Sequence, residues 1–82
     1  MEPLKQTIRT FISSNFYIAD PASWDDDTSL LETGIVDSTG VLEIIAFLEN
    51  DCGITVEDSE IAPENLDSVS RITAFVERKK AA

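Results

Sequence analysis

The chain has 82 residues, 43% of them hydrophobic, enough for one modest core burying roughly 60–65% of its unfolded surface and too few for a two-domain enzyme with a deep cleft. Sixteen acidic residues against six basic give a net charge of −10, which repels nucleic acid and anionic membrane surfaces and leaves basic proteins as the charged partners. With no histidine and one cysteine, the commonest general base, the commonest metal ligand, an internal disulfide and a zinc cluster are all missing, so neither catalytic residues nor a metal site are expected.

Residues 1–20 hold no long apolar run, so neither a signal peptide nor a membrane span is expected. The expectation is one domain over 1–82, monomeric and cytoplasmic. Pro3 suits a first helical turn, and Leu4, Ile8, Phe11 and Ile12 recur on one face of an amphipathic helix over roughly residues 3–15. Lys5 and Arg9 fall four apart on the opposite side, where their expected contribution is solubility.

From Phe16 to Val36 the periodicity lapses. Asp20-Pro21 breaks helix, Asp25-Asp26-Asp27 is a charge run, and Gly34 permits a bend. A loop this long needs anchors, and Phe16, Ile18, Trp24, Leu30, Leu31, Ile35 and Val36 are expected to plug into the helical core. An EF-hand count from Asp25 meets Leu30 where glycine is required and Val36 where glutamate is required, so the aspartates are read as a solvated loop. Asp27 or Thr28 is expected to cap a short turn at Ser29-Leu30-Leu31.

The second helix is predicted from about Ser38 to Asp51, closed by Gly53 as a left-handed cap. Asp37, Ser38 and Thr39 are all residues whose short oxygens cap orphan helix N–H groups. A helix start also favours a bound or covalently attached phosphate, so Ser38 reads either as a helix cap or as an anchoring hydroxyl. Val41, Ile44, Ile45 and Leu48 form the inward stripe. Leu42 and Ala46, near Glu43, Glu49 and Asp51, leave an apolar seam rimmed by acid, either a packing face for the loop or a docking face for a basic partner. Cys52 reads as a small core filler whose thiol its acidic neighbours hold protonated.

Ile54-Thr55-Val56 is extended and too short for a sheet. Residues 58–62 allow one helical turn before Pro63, and Asp67-Ser68 is expected to cap a last helix over about 68–80 with Val69, Ile72, Phe75 and Val76 as its stripe. Arg71, Arg78, Lys79 and Lys80 complement that helix's dipole. The residues therefore predict an all-α, acidic four-helix bundle with a long anchored loop between helices 1 and 2 and a short third helix.

Over essentially its whole length this pattern resembles an acyl carrier protein of the phosphopantetheine-binding family. The segment Leu31-Glu32-Thr33-Gly34-Ile35-Val36-Asp37-Ser38-Thr39-Gly40 is similar in spacing to stand-alone carriers, D-alanyl carrier proteins among them, whereas Pro63-Glu64-Asn65-Leu66-Asp67-Ser68 is less like the D-alanyl type. The resemblance implies that Ser38 carries covalent 4′-phosphopantetheine and that Asp37 caps the helix and assists the transferase. It further implies that cargo rides the arm as a thioester, and that the chain itself catalyses nothing. Thr39 stands where leucine or methionine is usual, which points to a dedicated partner. By the same resemblance Thr39, Leu42, Glu43, Ala46 and Ile61, the last on the third helix, form the partner surface. The implied partners are a phosphopantetheinyl transferase, an adenylating acyl or aminoacyl ligase, and acyltransferase or synthase enzymes with basic docking surfaces. Fatty acid, polyketide and nonribosomal peptide synthesis all use such carriers. Phe47 and Phe75 narrow the interior and tilt the expected cargo toward short or polar groups. The rival reading is an acidic interaction adaptor in which Ser38 is only a cap.

Overall fold

A computed structural model describes residues 3–81; Met1, Glu2 and Ala82, which the single-domain reading includes, lie outside the described residues. Four α-helices follow in order: α1 (Leu4–Asn15), α2 (Ser38–Asp51), α3 (Pro63–Leu66) and α4 (Val69–Ala81), with 3₁₀ turns at Pro21–Ser23 and Asp58–Glu60. The described residues contain no strand and no helix long and apolar enough to cross a membrane. The predicted stripes meet in one core: Ile8 and Ile12 of α1, Ile44, Ile45 and Leu48 of α2, and Val69, Ile72, Phe75 and Val76 of α4. Phe11 stacks on Phe47 with ring centroids 4.1 Å apart, and Phe16 packs on the first turn of α2 at Gly40, so α1 and α2 run antiparallel.

The helix ends follow local chemistry. The Pro3 carbonyl accepts from the Thr7 amide at 3.1 Å, which places Pro3 just before α1 rather than inside it. Gly53 takes φ 71°, a left-handed value costly for any residue with a Cβ, and so turns the chain out of α2. Ser68, buried, accepts the Arg71 amide at 3.1 Å and caps α4.

The long loop is held by apolar anchors and by polar ties that periodicity does not reveal. Trp24, Leu30 and Val36 are buried, and Phe16, Ile18 and Ile35 pack half-buried against the core, as predicted. Leu31 differs, because Leu30 takes the inward position of that adjacent pair and leaves Leu31 exposed. Lys5 and Arg9 are not simply solvating. Both reach Asp26, at 3.3 and 2.7 Å, and the Arg9 guanidinium lies 4.2 Å from the centre of the Trp24 ring. Capping of the turn after Ser29 also differs from expectation. Asp25 and Thr28 bond to each other instead, while the Ser29 hydroxyl accepts the Glu32 amide at 3.1 Å. Asp67 does not cap α4: its carboxylate accepts from the Ser29 hydroxyl at 2.7 Å and the Leu31 amide at 2.9 Å, tying the loop to the α3–α4 junction.

The segment before α3 is also revised. The turn at 58–60 is 3₁₀, with the Glu57 amide donating to Glu60 Oε1 at 2.9 Å, and Pro63 begins α3 instead of ending a helix. Ile61 therefore lies in the short connection ahead of α3, not on it. The basic tail of α4 does more than complement a dipole: Lys79 Nζ meets Glu60 at 2.8 Å, Arg78 donates to Asn65 at 2.8 Å, and Arg71 donates to the Pro63 carbonyl at 3.3 Å. These contacts strap residues 60–65 onto α4, and Lys79 holds the Glu60 carboxyl below its usual range. Cys52 is half-buried, and burial, more than neighbouring acid, pushes its thiol up; Lys80 draws it down, and Asp51 adds the smallest rise.

Candidate functional site

The start of α2 divides its work between adjacent residues. Asp37, in extended backbone, is the cap. Its Oδ1 accepts the Gly40 amide at 2.8 Å and its carbonyl accepts the Val41 amide at 2.9 Å. Ser38 is the first helical residue and is exposed, and among the described residues its hydroxyl has no hydrogen-bond partner. Sequence alone left Ser38 as cap or anchor, and the geometry gives the cap to Asp37.

Ser38 borders an apolar groove of about 240 Å³. Val41 and Leu42 of α2 form one wall; Ile61, Ala62, Pro63 and Leu66 form the other, and Leu31 closes one end. The strap from α4 fixes the second wall, and the Asp67 ties to residues 29 and 31 fix the end.

Of the predicted surface residues, the structure brings Leu42 and Ile61 to this groove beside Ser38. Thr39, Glu43 and Ala46 are exposed too, but they lie outside the groove on the outer face of α2. Leu31, Val41, Ala62, Pro63 and Leu66 were not picked out as site residues. The Leu30-Leu31 pair carried a usable signal, since a tight turn can bury only one of two neighbours. Phe75 is buried, and Phe47 fills the α1–α2 contact, so the apolar space beside Ser38 is a surface groove and not a widening of the core.

Chemically, the arrangement suits a phosphate ester. The exposed hydroxyl can form the ester bond, the positive end of α2 favours the charge, and the groove offers an apolar bed to whatever the phosphate carries. Asp37 places a carboxylate at the same helix end, where it already occupies the Gly40 amide.

Comparison with known proteins agrees with this geometry. A family model described as "Phosphopantetheine attachment site" matches residues 6–76. The probable acyl carrier protein PigG of Serratia sp. is 30% identical over 78 residues, covering 95% of this chain and 90% of that protein. The D-alanyl carrier protein of Streptococcus suis is 34% identical over 73 residues, covering 89% of this chain and 90% of that protein. Among solved structures, one chain of a crystal structure described as that of an FAD-dependent dehydrogenase superposes with TM-score 0.73 at 28% identity, covering 84% of this chain and 97% of that one. The chain belongs to the acyl carrier proteins, the family whose members bear 4′-phosphopantetheine.

Proposed function

We propose that Ser38 is the attachment residue and that the protein carries a short acyl or aminoacyl group as a thioester on the 4′-phosphopantetheine arm. The observation that carries this reading is the division of labour at α2: Asp37 caps, and Ser38 is left with an exposed hydroxyl at the mouth of an apolar groove. An adaptor that used Ser38 as a cap would not need this arrangement.

In the loading step the Ser38 Oγ attacks the pantetheine-side phosphorus of coenzyme A, the pyrophosphate linkage breaks, 3′,5′-ADP leaves, and the hydroxyl proton passes to a base of the transferase. When bound, the arm supplies a terminal thiol for acyl exchange. The chain's own residues position and present it. The α2 amides and dipole would hold the phosphate, the groove walls would shelter the apolar part of the arm, and Asp37 keeps the helix start ordered while assisting the transferase. Thr39, Leu42, Glu43, Ala46 and Ile61 offer an apolar surface edged with acid to enzymes with basic docking faces.

Likeness to D-alanyl carriers and the small groove support short cargo loaded by an adenylating ligase. The carrier-sized chain in the dehydrogenase crystal structure supports adding an FAD enzyme to the partner classes, one that removes a pair of hydrogens from the tethered group.

The test is the intact mass of the parent and of Ser38→Ala after incubation with coenzyme A, magnesium and a broad-range phosphopantetheinyl transferase. One added phosphopantetheinyl group in the parent and none in the variant is expected. No gain in the parent, with the transferase active on a control carrier, rejects the assignment of Ser38.

A further inference from the structure

The groove beside Ser38 takes its walls from two distant parts of the chain, and among the described residues no hydrogen bond or ion pair runs directly from α2 to residues 57–66. The polar link between the two sides is Asp67, which directly follows α3.

That link works as a helix cap supplied from far along the chain. Residues 29–34 form a tight turn, in which the Thr33 amide donates to the Ser29 carbonyl and the Gly34 amide to the Leu31 carbonyl, both at 3.2 Å. Such a turn leaves its first amides without partners. Here the Leu30 amide donates to the Asp67 carbonyl at 2.7 Å, the Leu31 amide to Asp67 Oδ1 at 2.9 Å, and the Glu32 amide to the Ser29 hydroxyl at 3.1 Å. The Ser29 hydroxyl itself donates to Asp67 Oδ2 at 2.7 Å. At the far side of the turn the Leu30 carbonyl accepts the Val36 amide at 3.0 Å, two residues before Ser38. Asp67 therefore holds the turn that leads into the attachment helix, and its chain neighbour Leu66 lines the groove.

The backbone and the carboxylate of Asp67 hold different things. Leu30 is fully buried and keeps its place by packing, whereas Leu31 is 39% exposed and relies on its amide's bond to the carboxylate to stay at the groove. Bonds accepted by a charged carboxylate are about twice as strong as neutral ones. The main-chain bonds from Leu30 to Asp67 and from the Ser70 amide to the Asp26 carbonyl, at 2.9 Å, do not need that carboxylate. Removing the side chain thus frees the Leu31 end of the groove while the loop stays joined to α4.

We infer that Asp67 is a positioning residue for the carried group: its carboxylate keeps the Leu31 end of the groove closed, and so keeps the thioester on the arm out of bulk solvent. The inference rests on Ser38 as the attachment residue. Asp67 touches neither the arm nor its cargo, and acts through the Ser29 hydroxyl and the Leu31 amide.

The experiment loads the parent, Asp67→Ala, Asp67→Asn and Ile8→Val from butyryl-coenzyme A with a broad-range phosphopantetheinyl transferase, and follows cleavage of the thioester by hydroxylamine through the intact mass. The hydroxylamine nitrogen attacks the carbonyl carbon, the C–S bond breaks, and butyryl hydroxamate and the free thiol of the arm are the products. A group seated in the groove for most of the time reacts only from its open fraction, so the parent is expected to react about fivefold more slowly than free butyryl-pantetheine. Asp67→Ala should come within about twofold of the free compound. Asp67→Asn should stay close to the parent, because an amide can accept from the Leu31 N–H and donate to the Ser29 oxygen. Ile8→Val, which loosens the core on α1 away from the groove, should also keep the protection and so separates positioning from lower stability. An unprotected parent, an Asp67→Ala variant as protected as the parent, or equal exposure in Asp67→Asn or Ile8→Val overturns the role of Asp67. Failure of the parent to gain any arm is a distinct result and removes the premise instead.

Discussion

Asp37 and Ser38 are neighbours with different tasks, and substitution separates them. Asparagine caps a helix about as well as aspartate, whereas alanine forfeits about 1 kcal/mol. Asp37→Asn should therefore melt like the parent and Asp37→Ala several degrees lower, while both lose transferase rate if the Asp37 charge assists that enzyme. A parental modification rate in Asp37→Asn would confine Asp37 to capping. Gly40 illustrates a second residue-level constraint. In most helices Gly→Ala is favourable by up to about 1 kcal/mol. Here the added Cβ would fall 2.8 Å from the Phe16 ring and 2.9 Å from a buried Val36 methyl. Overpacking of this kind costs about 1–3 kcal/mol, so Gly40→Ala should lower the chemical-denaturation midpoint rather than raise it.

At the scale of elements, two ionic straps hold the irregular parts to regular ones. Asp26 fastens the long loop to α1 through Arg9 and Lys5, and Glu60 fastens the segment before α3 to α4 through Lys79. Hydrogen bonding from Arg9, more than its charge or that of Lys5, holds the Asp26 carboxyl below its ordinary value against the opposing effect of burial. A carboxyl whose folded-state value is depressed stabilises the fold fully above its unfolded value and loses that contribution as pH falls through the folded one. The difference in thermal midpoint between the parent and Asp26→Asn should accordingly be constant near neutrality and shrink as pH drops below the ordinary aspartate range. A difference that persists unchanged in acid would mean that the contribution of Asp26 does not depend on its charge, and no difference near neutrality would mean that Trp24 and Leu30 hold the loop without the strap. Helices α1, α2 and α4 were legible from stripes and caps because those signals are local. The straps were not, since Arg9 and Asp26 lie 17 residues apart and Ser29 and Asp67 lie 38 apart, beyond any helical period. The same blindness misplaced Leu31 and put Ile61 on a helix that begins only at Pro63.

For the molecule as a whole, charge is segregated along the chain. All six basic residues lie at positions 5–9 and 71–80, and most are engaged in the straps, whereas the charged residues of α2 are all acidic. Association with a basic transferase should then depend on ionic strength. Between about 0.1 M and 1 M salt the screening length falls from roughly 10 Å to 3 Å, so kcat/KM for the carrier should drop severalfold while the number of arms added stays at one. Insensitivity to salt would assign docking to apolar contacts alone. The candidate site was only half legible at this scale. Asp37-Ser38 could be read directly, but a groove assembled from the loop, α2 and α3 exists only after the straps have closed.

The single tryptophan gives this fold a built-in optical gauge. Trp24 is buried, its indole N–H has no hydrogen-bond partner among the described residues, and the Arg9 guanidinium covers its ring, so its emission senses whether the long loop is seated on α1. A red shift that precedes loss of helical circular dichroism would time the loop's detachment separately from collapse of the bundle.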